Sequence, residues 1–166
     1  MSKRLTFTLM ILASLGGSSL QAAESASPAT VKVDGKPVTL ARYAKAFIGE
    51  GNITVEVGPY KTKDGQEGAI LLIRGIEGEW DGKALNHRVE PGSYNGKMYV
   101  TQYQGKDWST LQMRAPNVNA PDWELFVPGG DRNGIKVVPS DGAAQLTNPR
   151  TLFEEYQRQH EAGKKT

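Results

Sequence analysis

The sequence predicts a mainly β domain, an antiparallel meander folded into a sandwich or a small barrel, with α+β as the alternative class. Three observations carry this. Asp34-Gly35, Asp64-Gly65, Asp81-Gly82, Asn95-Gly96, Gln104-Gly105 and Asn133-Gly134 recur along the chain. Such dipeptides supply the positive backbone angles of tight hairpin turns. The segments between them alternate in polarity, as strands covered on one side do. Finally, Gly68–Ile76 holds five consecutive apolar residues, Ala69 to Ile73. Such a run cannot alternate, so both of its faces must be covered and it lies inside the sheet.

The first 23 residues read as a secretory signal peptide. Lys3 and Arg4 precede an apolar stretch from Leu5 to Leu15, followed by Gly16, Gly17, Ser18, Ser19 and the small pair Ala22-Ala23. The apolar stretch is shorter than the roughly 20 residues needed to span a bilayer. Cleavage after Ala22 or Ser25 is an alternative, and no cysteine lies beyond the stretch to take a lipid. The expected localisation is periplasmic or secreted, with no integral membrane segment after cleavage. Residues 24–29 form a flexible link, 30–162 a single β-rich domain, and 163–166 a basic tail. The chain has 20 Lys+Arg and 18 Asp+Glu, so loss of Lys3 and Arg4 leaves 18 of each. A formally neutral chain gives no reason to expect nucleic acid as a partner. With no cysteine, thiol catalysis, thiolate zinc sites and disulfides are all excluded.

In order, Val31–Leu40 places Asp34-Gly35 between two short β-prone runs, a hairpin. Ala41–Ile48 reads as a short helix with Leu40, Ala44, Phe47 and Ile48 on one side, ended by Gly49. Asn52–Gly58 alternates through Ile53, Val55 and Val57, and a turn at 63–66 joins it to the buried strand. Leu85, His87 and Val89 then share a strand face. Tyr99, Thr101 and Tyr103 share another, and Trp108, Thr110 and Gln112 oppose Leu111 and Met113. Ala115–Asp122 carries Pro116 and Pro121 and reads as a loop. Trp123–Val127 and Ile135–Val138 are further strands. The chain ends in a helix near 149–162: Asn148 caps it, Pro149 suits its first position, and Leu152, Phe153, Tyr156 and His160 form its apolar face.

No catalytic motif of useful specificity appears. His87 and His160 are the two histidines, and neither lies in a zinc-binding pattern. The parity of His87 with Leu85 and Val89 favours a hydrogen-bonded, inward-facing residue over a general base. Asp131-Arg132-Asn133-Gly134 resembles a fragment of a calcium loop but lacks the downstream glutamate, so it reads as a hairpin turn. Glu77, Glu79 and Asp81 crowd one turn, as a solvated edge does more often than a glycosidase pair. Gly78-Glu79-Trp80 matches the short Gly-x-Trp mark of lipocalin-like barrels. That mark belongs near the start of such a barrel, and the half chain beyond it is too little for eight ordinary strands, so no family is assigned.

The remaining signal is aromatic: Trp80, Tyr94, Tyr99, Tyr103, Trp108 and Trp123 lie in or beside the meander. Read as core, they stabilise cross-strand pairs; read as surface, they form a contact face of large rings with polar tips. The expectation is a small exported protein-binding module, not an enzyme, with those six residues as its binding set and another envelope or secreted protein as its partner. An inhibitor, an immunity-type protein or an accessory subunit of an envelope complex fits this description. A carbohydrate- or glycan-binding β module is the alternative, and a small envelope hydrolase using His87 the weaker one. No cofactor or metal is expected.

Overall fold

A computed structural model of the chain describes residues 29–92, 96–117, 120–130 and 134–163. The predicted signal peptide, most of the link, Tyr94, the Asp131–Asn133 turn and the basic tail lie outside the described residues. The described residues form ten strands: β1 (Thr30–Val33), β2 (Lys36–Leu40), β3 (Lys45–Gly49), β4 (Thr54–Thr62), β5 (Glu67–Arg74), β6 (Ala84–Pro91), β7 (Lys97–Tyr103), β8 (Lys106–Asn117), β9 (Ala120–Leu125) and β10 (Ile135–Pro139). After them come two helices, α1 (Asp141–Leu146) and α2 (Pro149–Gly163).

The strands from β3 to β10 form an up-and-down antiparallel meander closed into an eight-stranded barrel. Seven of the eight pairings join neighbours in sequence. The eighth, β3 with β10, closes the barrel through Val137–Gly49, Val138–Ile48 and Pro139–Phe47. The β1–β2 hairpin lies outside the barrel, with β2 pairing the end of β4. Asp34 and Gly35 turn this hairpin with φ of 49° and 79°, the conformation for which Asp-Gly is suited.

An eight-stranded barrel is just wide enough for its side chains to fill. Here Phe47, Val55, Val57, Leu71, Ile73, Tyr99, Leu111, Trp123, Leu125 and Val137 pack in one cluster. A second cluster lies on the outer face, where Leu152, Phe153 and Tyr156 of α2 cover Ile70 and Leu72 of β5, with Val33, Val38 and Leu40 of the hairpin beside them. The strand β5 is therefore buried on both faces, as its unbroken apolar run requires. Arg150 N donates to Asn148 Oδ1 at 2.9 Å, so Asn148 caps α2.

Three expectations are corrected. Residues 45–49 are strand, not helix: Phe47 faces the barrel and Ala46 the outside, and the ladders to β4 and β10 override a helical preference that five residues express only weakly. Residues 115–122 are not a simple loop, because β8 runs to Asn117 and β9 starts at Ala120. Beyond Met113 and Trp123 these strands pair only with each other, so each has an unpaired edge where a proline nitrogen loses no ladder bond. Finally, eight strands do close a barrel. Three of them, β3 to β5, precede Trp80, so the Gly-x-Trp triplet falls partway through the strand order, between β5 and β6, and the half chain beyond it need not supply every strand.

Candidate functional site

Of the aromatic residues singled out in the sequence, the five that are described pack into or against the interior. Trp80, Tyr99 and Trp123 are buried, and Tyr103 and Trp108 pack half-buried against the same core. Trp123 lies 4.9 Å from Phe47 and 6.2 Å from Tyr99 between ring centres. Trp80, Tyr103 and Trp108 form a triangle of edge-on contacts at 5.6, 5.7 and 6.2 Å. Trp80 lies in the β5–β6 connection, which folds it into one end of the barrel. Its neighbours hold that connection in place: Tyr103 donates its hydroxyl to Glu79, and Asp81 Oδ1 accepts from Gly75 N at 2.8 Å. Two of the three crowded acids are thus engaged in shaping the turn. Of the six residues expected to form a contact face, none described is an exposed ring.

His87 points into the barrel and is 1% exposed. Its Nδ1 lies 3.0 Å from the Leu85 carbonyl and its Nε2 2.8 Å from Thr110 Oγ1. A carbonyl only accepts, so Nδ1 carries the proton and Nε2 accepts from the threonine hydroxyl. Burial pushes the imidazole down to about 4, opposed in part by the Leu85 carbonyl. Thr110 reaches the ring because it is the extra residue of a β-bulge: Tyr99 pairs with Leu111 but Val100 with Ser109. His87 is therefore neutral, satisfied and sealed from solvent.

The concave feature with converging polar groups is the opposite mouth of the barrel. A cleft of about 390 Å³ is bounded by the β2–β3 connection at 41–44, by β4 with the start of β5, and by facing ends of β6 and β7. Leu40, Pro59, Val89 and the ring of Tyr99 give it an apolar floor. Among the described residues, four cations, Arg42, Lys45, Lys61 and Lys97, stand on its rim against one carboxylate, Glu67. Lys97 Nζ lies 2.8 Å and Lys61 Nζ 3.7 Å from Glu67. The Lys97 hydrogen bond, then the charges of Lys97, Lys61 and Lys45, hold the Glu67 carboxyl below the usual range. The Arg42 guanidinium stacks 5.2 Å from the centre of the Tyr43 ring, which is 70% exposed.

Tyr60 shows why the wall is shaped as it is. Its ring lies across Gly68, where a Cβ would come within 2.2 Å of Tyr60 Cζ. Its hydroxyl donates to Asn86 Oδ1 at 2.7 Å, Asn86 Nδ2 donates to Asp34 Oδ2 at 2.8 Å, and Tyr156 donates to Asp34 Oδ1 at 2.5 Å. One chain of polar contacts therefore ties the mouth, the hairpin turn and α2 together. A wider cleft of about 600 Å³ at the other end is lined by Ile53, Ile76, Val127, Pro128 and Ile135, with Glu77 as its one charged residue among the described residues. Among the described residues no three His, Asp or Glu side chains gather as a metal site, and no helix is long and apolar enough to cross a membrane.

Sequence reasoning missed the mouth. Its cations come from four separate segments, each an unremarkable exposed lysine or arginine in its own strand or connection, and only the closure of the barrel groups them. No family model, curated protein or solved structure matches the chain.

Proposed function

We propose that the protein is a small exported binding module that works by capture and not by turnover, and that it recognises its partner with the lysine-rimmed mouth of the barrel. The observation that supports this reading is the convergence, over one apolar floor, of four cationic side chains against a single carboxylate that two of them already engage. Concave sites of this size with a few placed polar groups are the usual form of a binding pocket. The partner is accordingly anionic where it meets the rim. A protein partner, with this chain as inhibitor, immunity-type protein or accessory subunit of an envelope complex, is favoured by a further observation. Ile48 and Val138, directly paired across β3 and β10, are 40% and 52% exposed on the outer wall.

The test compares the purified protein with Lys45→Glu/Lys97→Glu and, as a charge control at the far end, Glu77→Lys. Each is immobilised and challenged with an envelope extract at low and high salt. The expected result is a species held by the unaltered chain and by Glu77→Lys, released by salt, absent from the double variant, and recovered with its mass unchanged. Equal retention by the double variant, or recovery of a chemically altered species, overturns the reading.

A further inference from the structure

The floor of the mouth contains a group that the protein itself leaves unused. Tyr99 is only 2% exposed, it lines the cleft, and among the described residues its hydroxyl has no hydrogen-bond partner. Although the ring is buried, the hydroxyl is not among the polar atoms sealed from solvent, so it opens onto the cleft and is available to a molecule that enters there. Burial, with the nearby charge of Glu67, pushes this phenol up to about 12, so it keeps its proton and is a donor at neutral pH. A donor inside a ring of cations calls for an acceptor that carries negative charge. The surfaces of Leu40, Pro59 and Val89 beside it call for an apolar body.

We propose that the mouth cleft is the site of a small amphipathic anion, a carboxylate or phosphate monoester with a short aliphatic chain, whose headgroup is held by the Tyr99 hydroxyl with Lys97 and Lys45 while the chain lies along Leu40, Pro59 and Val89. This rests on the mouth being the recognition surface and adds the chemistry of the molecule that enters it. Lys97 need not give up Glu67 to take part, because an ammonium carries three donors. A cation is disfavoured, since the one carboxylate among the described lining residues is already shared by two lysines. A purely polar anion would leave the apolar floor uncovered. The volume, about 390 Å³, is within the range of ordinary small-ligand pockets.

Calorimetric titration of the full chain at low salt tests this with four probes: octanoate, octyl phosphate, 1-octanol and acetate. Octanoate or octyl phosphate is expected to saturate one site, with the preference between them identifying the headgroup. The better of the two should bind at least about tenfold tighter than either octanol or acetate. Tyr99→Phe should weaken the anion about fivefold to tenfold and leave octanol unchanged. Lys45→Gln/Lys97→Gln should weaken it by about tenfold or more, and salt should mimic that loss. Anions that bind no better than acetate, or no better than octanol, overturn the proposal, as does indifference to both variants. If rim-dependent capture from the extract persists while both anions fail, the ligand class is wrong and the recognition surface stands. If the rim variants also capture normally, the recognition surface is wrong too.

Discussion

His87 carries a pH signature that can be read from its surroundings. The folded barrel holds it neutral, with its pKa pushed down to about 4 from 6.5, whereas the unfolded chain protonates at the ordinary value. The unfolded state therefore binds the extra proton between those limits, so the stabilisation is complete above pH 6.5 and is lost as pH falls to 4. At about 1.36 kcal/mol per unit, the loss is on the order of 3 kcal/mol. Denaturation midpoints should fall across this window, and the carboxylates held low by their cationic partners, such as Glu67 beside Lys97 and Asp107 beside Arg88, add their own loss toward its acid end and below. His87→Gln should be less stable at pH 7 but nearly flat from pH 6.5 to 4.5; an unchanged slope would remove His87 as the cause. Gly68 makes a different demand, for space. Gly68→Ala should destabilise by about 1–3 kcal/mol because the Tyr60 ring occupies the Cβ position. In Tyr60→Leu the same change should cost measurably less, whereas strict additivity in a double-mutant cycle would rule out that collision. The inward parity of His87 was legible from its neighbours Leu85 and Val89. Its partner was not, because the bulge that delivers Thr110 leaves no mark in the local sequence.

Elements whose burial is written in their own periodicity were legible, and elements defined by remote partners were not. Helix α2 shows the first case: Leu152, Phe153 and Tyr156 recur at helical spacing, the Asn148 cap marks the start, and all three side chains are buried at 3% exposure. Leu152→Ala should cost about 2–5 kcal/mol and Phe153→Ala about 3–5 kcal/mol. Leu146→Ala on the neighbouring α1, 89% exposed, should cost almost nothing, and equal midpoints for all three variants would show that α2 does not seal the outer face. Helix α1 illustrates why short elements escape. Ser140 caps it, its Oγ accepting from Ala143 N at 3.3 Å, but none of its residues is buried, so no apolar period announces it. The strand β3 is the second case. Its residues Ala46, Phe47 and Ile48 satisfy a helical and a β pattern equally over so short a span, and the ladders that decide between them come from β4 and from β10, about ninety residues away.

At the scale of the whole molecule, closing the meander divides the barrel into two unlike ends. Turn dipeptides made the meander legible, but closure by three residue pairs of β3 and β10 has no local signal, and the mouth exists only because of it. At the far end, Trp80, Tyr103 and Trp108 interlock, and Trp108 Nε1 donates to the Phe126 carbonyl at 2.9 Å. The aromatic strands therefore spend their rings on holding the barrel shut. At the mouth, exposed ion pairs contribute little to folding, because salt and solvent screen them. Stability and recognition should thus separate by substitution. Trp80→Ala and Trp108→Ala are each expected to cost about 3–5 kcal/mol, with the double variant costing less than their sum because the rings touch. Lys45→Glu/Lys97→Glu should leave the denaturation midpoint within about 0.5 kcal/mol of the unaltered protein while abolishing capture. Midpoints from urea titration, set beside retention in the same extract, decide the matter. A Trp108→Ala protein that keeps its stability and loses its partner would move recognition from the charged mouth back to the aromatic strands.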